Sequence, residues 1–594
     1  MGRGKKRPDR RFPLLLLAFM MAFVVVTGRL LWVQGVSAKA YAKLAERQRV
    51  RDIELTPWRG AIYDREGEPL AVSVDARTVY AVPHSVKDAP ATARALASVL
   101  GGKPAEYLVK LRRDSGFVYI ARKVDVERAE TLKKLDLAGV GFLEDSKRVY
   151  PSGSLAGQLL GFVGIDDQGL SGLERYYDTV LRGTAGRLLA ERDPFGRYIP
   201  GGVMREEKPI DGRDITLTID KDIQYQVQLE LDKTVERYHA QAGSVIVMDP
   251  RSGEIYALAS TPELDPNDYR HADPKSIRLR PVQDAYEPGS TIKSMTAAAV
   301  LDRGLFTPKS KFRLPPTLRI GGHTIHDSHN RGTVNWTLTQ IVTESSNVGA
   351  VKLGLTLKTD GIYDYFSRFG LTARTGIDFP AEAVGWLPPP SQWSSSSIGN
   401  IPFGQGISVT PLQLARALSA LAQHGVMPTP HLVESVEGSS TSVWPHKRAV
   451  SAKAADQMVG VLETVVTEGT GKEAAVPGYN VAGKTGTAQK ARTDGRGYAA
   501  GKYVASFSGF LPAENPQLLI IVTVDEPKGN IYGGSVAAPA FSTIARFAVA
   551  HLKIPPSPIR PRPEEEAPGT SAGHRPTAGR SPVSHVTTPD GRDQ

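Results

Sequence analysis

Phe12 to Gly28 is an uncharged run containing Leu14-Leu15-Leu16-Leu17 and Val24-Val25-Val26, continued past Arg29 by Leu30-Leu31-Trp32-Val33. At about 1.5 Å per residue it approaches the roughly 30 Å of a bilayer core, with Arg29 able to snorkel and Trp32 suited to the far interface. The run predicts one membrane-spanning helix over residues 12–34. Ahead of it, Arg3, Lys5, Lys6, Arg7, Arg10 and Arg11 face only Asp9, a net charge of +5 that places this end in the cytoplasm and the remainder outside. The competing reading is a cleaved signal peptide with Ala38-Lys39-Ala40 as a loose cleavage site. The apolar run is longer than a usual signal core and the site lies well beyond its end. On either reading the body of the chain works outside the cytoplasm.

The 594 residues, 41% of them apolar, allow two or three domains with their own cores. The chain has no cysteine, which excludes disulfides, thiolate metal sites and cysteine nucleophiles. Of its net charge of +11, +5 lies in the basic stub, and the modest excess left over the body reads as an ordinary mixed surface and not as a nucleic-acid-binding one.

Ser37 to about Val50 reads as an amphipathic helix, with Tyr41, Leu44 and Ala45 opposite Lys39, Lys43 and Arg47. Strand and turn character at Arg59 to Gly67 and at Leu70-Ala71-Val72 opens a mixed region with helices over Ala91–Leu100 and Val126–Leu135. A second unit begins near Asp214 to Asp220, an alternating strand, followed by a helix through Gln224, Val227 and Leu231. Ser244–Met248 and Ile255–Ala259 flank Asp249-Pro250-Arg251-Ser252-Gly253 as two antiparallel strands on a tight turn. Strand character returns at Tyr503–Phe510 and Leu518–Val524, and Phe541–Leu552 forms a closing helix. Strands at both ends with helical sequence between them imply an α/β (α+β) architecture: one mainly antiparallel sheet with a helical subdomain beside it. The expected divisions are residues 1–11, 12–34, 35–210, 211–553 and 554–594. The last is Pro, Ser, Gly and Thr rich, with too few apolar residues to repay its ordering entropy, and is expected to be disordered.

Within 211–553 stand Ser290-Thr291-Ile292-Lys293, Ser345-Ser346-Asn347 and Lys484-Thr485-Gly486-Thr487. Taken singly, these are an N-cap, a solvated helix residue, a second cap and a turn. Their order within one exported domain points instead to a serine acyl-transfer centre whose base is a lysine. Glu287-Pro288-Gly289 ahead of a strong helix former puts Ser290 at a helix start, where the dipole favours an alkoxide, with Lys293 one turn on. To act as the general base Lys293 must be neutral, against a reference pKa about three units above working pH. Burial and a second cation, Lys484, would both push it down. Ser345 is placed as the proton relay, and Asn347 as the group holding a substrate backbone amide. Gly483 and Gly486 bracket Lys484 on a strand edge where a peptide can add as a strand. Thr485 and Thr487 offer hydroxyls to a carboxylate, which Lys484 also recognises. The N–H groups of Ser290 and Thr487 form the expected oxyanion hole.

With these motifs the chain resembles the class B penicillin-binding proteins, from the membrane helix to about Leu552. Arg59 to Arg65, Gly169-Leu170-Ser171-Gly172-Leu173-Glu174, Val247-Met248-Asp249-Pro250 and Phe403-Gly404-Gln405-Gly406-Ile407-Ser408-Val409-Thr410-Pro411 also carry the resemblance. The resemblance implies a penicillin-binding transpeptidase domain over 211–553, an elongated pedestal of the dimerisation type over 35–210, and peptidoglycan D,D-transpeptidase activity. Ser290 would attack the D-alanyl-D-alanine end of a stem peptide, D-alanine would leave, and an amine of a neighbouring stem would take the acyl group. β-Lactams would acylate the same serine, and neither metal nor organic cofactor is implied. Arg148-Val149-Tyr150-Pro151 through Gly164, Gly483 to Lys490 with its Thr485, and Tyr532 to Pro539 are similar to the division (FtsI or SpoVD type) branch. That branch implies septal wall synthesis in the cytoplasmic membrane, with a SEDS-type glycan polymerase and divisome proteins as partners. Elongation- or sporulation-type synthesis is the alternative.

Four rivals are weaker. A serine β-lactamase needs a water-activating glutamate, and no Glu-x-x-Leu-Asn pattern lies between Asn347 and Lys484. A β-lactam sensor would carry several membrane helices, and a class A synthase would show an acidic glycosyltransferase signature before Ile210. A non-catalytic scaffold would tolerate loss of Ser290.

Overall fold

A computed structural model of the chain describes residues 11–39, 50–191, 204–439, 443–492 and 497–558. Helix α1 (Arg11–Leu31) runs on through a π turn at Trp32–Val36. Together these 26 residues are the one helix among the described residues long and apolar enough to cross a membrane, spanning about 39 Å. The helix expected over Ser37–Val50 lies mostly outside the described residues, and at its end Val50 opens strand β1 (Val50–Leu55) instead.

The N-terminal region is built on the long strand β3 (Pro69–Ala81). It takes β2 (Ile62–Tyr63) as one neighbour and β4 (Val118–Asp125) and β5 (Val140–Val149) as others, all antiparallel. Helices α2 (Ala89–Leu100), α3 (Pro104–Leu111) and α4 (Val126–Lys134) bury Ala93, Leu96, Leu111, Ala129 and Leu132 against Val79, Ala81, Ile120 and Val124. Strand β1 pairs with β6 (Gly186–Glu191), which pairs with β7 (Met204–Glu207), as a separate three-stranded sheet. Three sequence runs that carried the family resemblance meet at one carboxylate. Glu174 is fully buried between Arg59 (Nε to Oε2, 2.6 Å) and Arg148 (Nε to Oε1, 2.7 Å), and Tyr150 donates its hydroxyl to Oε1 at 3.2 Å. The two guanidiniums hold its pKa down against the opposing effect of burial.

The strand expected at Asp214–Asp220 is only β8 (Ile215–Leu217). It pairs in parallel with β2 and antiparallel with β16 (Val433–Val436), so the six-stranded sheet crosses the division expected at residue 210.

Beyond β8, helix α5 (Lys221–Arg237) leads into β9 (Ala242–Met248) and β10 (Ile255–Thr261). With β18 (Ala482–Ala491), β19 (Tyr498–Leu511) and β20 (Leu518–Asp525) these form one antiparallel five-stranded sheet in the order β10-β9-β20-β19-β18. Every residue of β9 and β10 is buried because both faces of the sheet are covered. Val245, Val247, Ile520 and Val522 pack with α5 and the closing helix Ala538–His551, while Ile246, Met248, Leu519 and Ile521 face the helical subdomain, a period of two read on both sides. That subdomain holds α6 (Lys293–Asp302), α7 (Leu338–Thr343), α8 (Asn347–Arg368), α9 (Pro411–Ala422) and α10 (Ala452–Thr467). The result is the α/β fold with a helical subdomain expected above, and β18 is left as its edge strand.

Glu174→Gln removes the anion shared by two buried guanidiniums and is expected to cost about 3–5 kcal/mol. Glu130→Gln, which breaks the exposed pair with Lys133, should change stability by less than about 1 kcal/mol. Thermal unfolding of the two variants side by side checks the contrast.

Candidate active site

Ser290 sits in a single 3-10 turn, Gly289–Ile292, immediately before α6, where a first α-helical turn had been expected. The turn is pressed between two glycine-dependent surfaces. Gly289, at φ +53°, donates its N–H to Gly404 O at 3.1 Å, and a Cβ on Gly404 would lie 2.1 Å from Gly289 O. On the other side a Cβ on Gly289 would come within 3.2 Å of Thr487 O, and one on Gly486 within 2.8 Å of Thr291 Oγ1. The serine backbone therefore lies directly against the edge strand, beside Thr487.

Lys293 and Lys484, at 1% and 0% exposure, are among the largest fully buried side chains of the protein. One hydroxyl separates them. Ser345 Oγ lies 3.2 Å from Lys293 Nζ and 3.0 Å from Lys484 Nζ. Lys293 also donates to Ser345 O and, at 2.8 Å, to Asn347 Oδ1, while Lys484 reaches Thr485 O at 3.3 Å and Thr485 Oγ1 at 3.2 Å. Ser345 holds this place with φ +57°, a left-handed conformation that costs a non-glycine residue on the order of 1 kcal/mol.

Burial pushes the Lys293 amine well below the usual lysine value, and the neighbouring Lys484 charge pushes it further. Asp327 opposes both. Burial alone takes Lys484 from 10.5 down to about 7. Two ammonium groups across one hydroxyl would repel in a desolvated site, so the pair favours a single proton between them. The stronger downward push on Lys293 favours it as the neutral amine, and Ser345, which has one hydrogen and can donate it to only one lone pair, then donates to Lys293. With Lys484 charged, its three donors meet Ser345 Oγ, Thr485 O and Thr485 Oγ1, and Lys293 accepts from Ser345 while donating to Ser345 O and Asn347 Oδ1. Every donor in that arrangement has an acceptor.

The structure thus brings Lys293, Ser345, Asn347 and Lys484 together below the Ser290 turn, and it adds three details. The Lys293 amine is turned to Ser345 and Asn347 and not to the Ser290 hydroxyl. Asn347 was expected to face a substrate amide, yet Oδ1 accepts from Lys293 and Nδ2 donates to His326 O at 2.9 Å, leaving one lone pair and one N–H for a ligand. Thr485 was expected to offer its hydroxyl at the strand edge. It is buried instead, with Oγ1 on Thr470 Oγ1 at 2.8 Å. Thr487 stays half-buried, and its Oγ1 accepts from Gly533 N at 3.2 Å.

Two neighbours escaped the motif reading. Glu287 Oε1 accepts from Gly406 N at 3.1 Å and Oε2 from the Tyr498 hydroxyl at 3.1 Å, tying the Gly404–Gly406 loop to the start of β19. Asp327, just after strand β13 (His323–His326), binds the Ser346–Val348 turn. Among the described residues no group of three His, Asp or Glu side chains gathers as a metal site.

Unfolded Lys484 keeps its proton to about pH 10.4, whereas folded Lys484 gives it up near 7. Between those values the unfolded chain binds more protons, so Lys484 makes stability rise with pH across that window and lowers it by a few kcal/mol at neutral pH. Lys484→Met should therefore be more stable than wild type at pH 7, the gap closing toward pH 10, as denaturant unfolding across pH will show.

Residues 243–546 match the penicillin binding protein transpeptidase domain, and residues 54–217 match the penicillin-binding protein dimerisation domain. The chain is 37% identical over 560 residues to stage V sporulation protein D of Bacillus subtilis, covering 92% of this chain and 86% of that protein. It is 34% identical over 559 residues to the peptidoglycan D,D-transpeptidase FtsI of Escherichia coli, covering 92% and 93%. Among solved structures, a peptidoglycan synthetase from Bifidobacterium adolescentis superposes with a TM-score of 0.70 at 29% identity, over 86% of this chain and 99% of that one. Penicillin-binding protein 3 of Mycobacterium tuberculosis in complex with aztreonam gives a TM-score of 0.67 at 30% identity, over 85% and 98%. With its serine turn, its pair of buried lysines and matches that run nearly end to end, the chain belongs to the class B penicillin-binding proteins, the serine-type peptidoglycan D,D-transpeptidases.

Proposed function

We propose that Ser290 is the nucleophile that cross-links stem peptides, that Lys293, Ser345 and Lys484 move its proton, and that the cross-links are laid down in the septal wall during cell division. The observation that carries the chemical part is the buried Lys293–Ser345–Lys484 chain beside the Ser290 turn.

In this reading the neutral Lys293 amine leaves Ser345 and takes the Ser290 hydroxyl proton, a contact that tightens only with substrate bound. Ser290 Oγ forms a bond to the carbonyl carbon of the penultimate D-alanine. The oxyanion is held by the N–H groups of Ser290 and Thr487, an interaction worth a few kcal/mol in comparable sites. The amide C–N bond then breaks, and the leaving D-alanine nitrogen receives its proton through Ser345. Lys484 and Thr487 hold the terminal carboxylate, with Gly486 allowing the peptide to lie flat on the β18 edge and Thr485 bracing Lys484 from behind. Asn347 uses its remaining N–H for the peptide backbone. An amine of a second stem attacks the acyl-serine ester and returns a proton by the same chain. A β-lactam enters the same path and stays as the acyl-enzyme.

Septal work is supported by the Thr485 variant of the third motif, by the Tyr532–Pro539 run and by the FtsI relative. The partners that fit this role are a SEDS-type glycan polymerase and divisome proteins, met through α1 and the region after it, with the protein held in the cytoplasmic membrane at the septum. A sporulation role is favoured by one observation, the 37% identity to stage V sporulation protein D.

Ser290→Ala should abolish covalent labelling by a fluorescent penicillin while leaving the melting temperature unchanged. Depletion in the organism that carries the gene is expected to give filaments without septa. Rounded cells would point to elongation, and normal division with defective spores to the sporulation reading.

A further inference from the structure

Asp327 lies outside the three motifs, yet its buried carboxylate is the point to which the second motif is fastened. Ser346 donates its hydroxyl to Asp327 Oδ1 and Oδ2, both at 3.0 Å, and Val348 donates its N–H to Oδ1 at 3.1 Å. Ser346 Oγ in turn caps α8 by accepting from Gly349 N at 2.9 Å, and the neighbouring His326 O accepts from Asn347 Nδ2. The residues on the C-terminal side of Ser345 are thus held from one short segment, and Ser345 itself is left in its left-handed conformation. Arg331 completes the clamp. Its Nε donates to Asp327 Oδ2 at 2.6 Å, its Nη1 reaches Leu314 O at 3.2 Å, and its guanidinium lies 4.8 Å over the Trp336 ring.

We infer that Asp327 is a positioning residue for acyl transfer: it fixes the Ser345–Asn347 turn on the two lysines and sets an anion behind that turn. The second part follows from what faces Lys293. Lys484 from β18 favours the neutral amine and Asp327 favours the ammonium, with Arg331 bound to Asp327 and His326 meeting only its backbone oxygen. Asp327 therefore keeps Lys293 from losing its proton too readily, which preserves its basicity at the moment of attack. Geometry and charge enter through the same carboxylate, so two substitutions are needed to separate them. Ser346→Ala removes a clamp bond and leaves the charge. Asp327→Asn keeps a polar side chain of the same shape and removes the charge.

The inference rests on Ser290 acylation, so wild-type acylation is the reference measurement. The rate of labelling by a fluorescent penicillin is followed from pH 5 to pH 10 on the full chain in detergent, with the melting temperature of each variant recorded. Asp327→Asn should lower the plateau rate at least tenfold and move the acidic limb of the profile to lower pH by half a unit or more. Ser346→Ala should lower the rate with the limb unmoved. An acidic limb that stays in place in Asp327→Asn, whether or not the rate falls, would overturn the inference while leaving Ser290 chemistry intact. Absence of wild-type acylation would overturn the function and this inference with it.

Discussion

Two lysine side chains are buried on either side of a single serine hydroxyl, and much of the surrounding structure serves to keep them there. An ammonium loses several kcal/mol of hydration in such a place. The site meets that cost by letting one amine stay neutral and by giving the other three acceptors: Ser345 Oγ, Thr485 O and Thr485 Oγ1. In the proposed mechanism a cation and a free base are thus within reach of one proton, the condition a serine needs to act without a histidine.

The fold supplies the rigidity this requires. Lys484 sits on a strand whose inner neighbour is paired along most of its length, in a sheet covered on both faces. Lys293 opens a helix in which nine residues are buried, and Ser345 is fixed between two helices by a turn that Asp327 and Arg331 clamp. Gly289 and Gly404 approach too closely for side chains and so set the serine turn against β18. Far from this centre the Arg59–Glu174–Arg148 cluster ties three separate runs of the N-terminal region together by the same device, buried charge held in check by its partners.

Much of this was legible in the sequence because lysine-assisted acyl transfer demands particular side chains in a particular order, and because β9, β10, β19 and β20 alternate or run apolar as buried strands must. What escaped has a common cause. The pairing of Thr485 with Thr470 and the commitment of Asn347 to Lys293 and His326 are tertiary contacts, which motif spacing does not give. Asp327 sits in a polar stretch with no periodicity to single it out, and it matters only because the chain returns to lay α8 beside it. The short β8 joined a sheet begun by residues far upstream, a pairing that local alternation could not reveal.

The central claim is that one proton is shared by the two lysines at neutral pH. NMR of protein labelled at the lysine ε-carbons and ζ-nitrogens tests it directly, with Lys293→Met and Lys484→Met assigning the two signals. One of the pair should appear as a free amine at pH 7 and the two should titrate far below the ordinary lysine range. Two ammonium signals persisting unchanged to pH 10 would contradict the account.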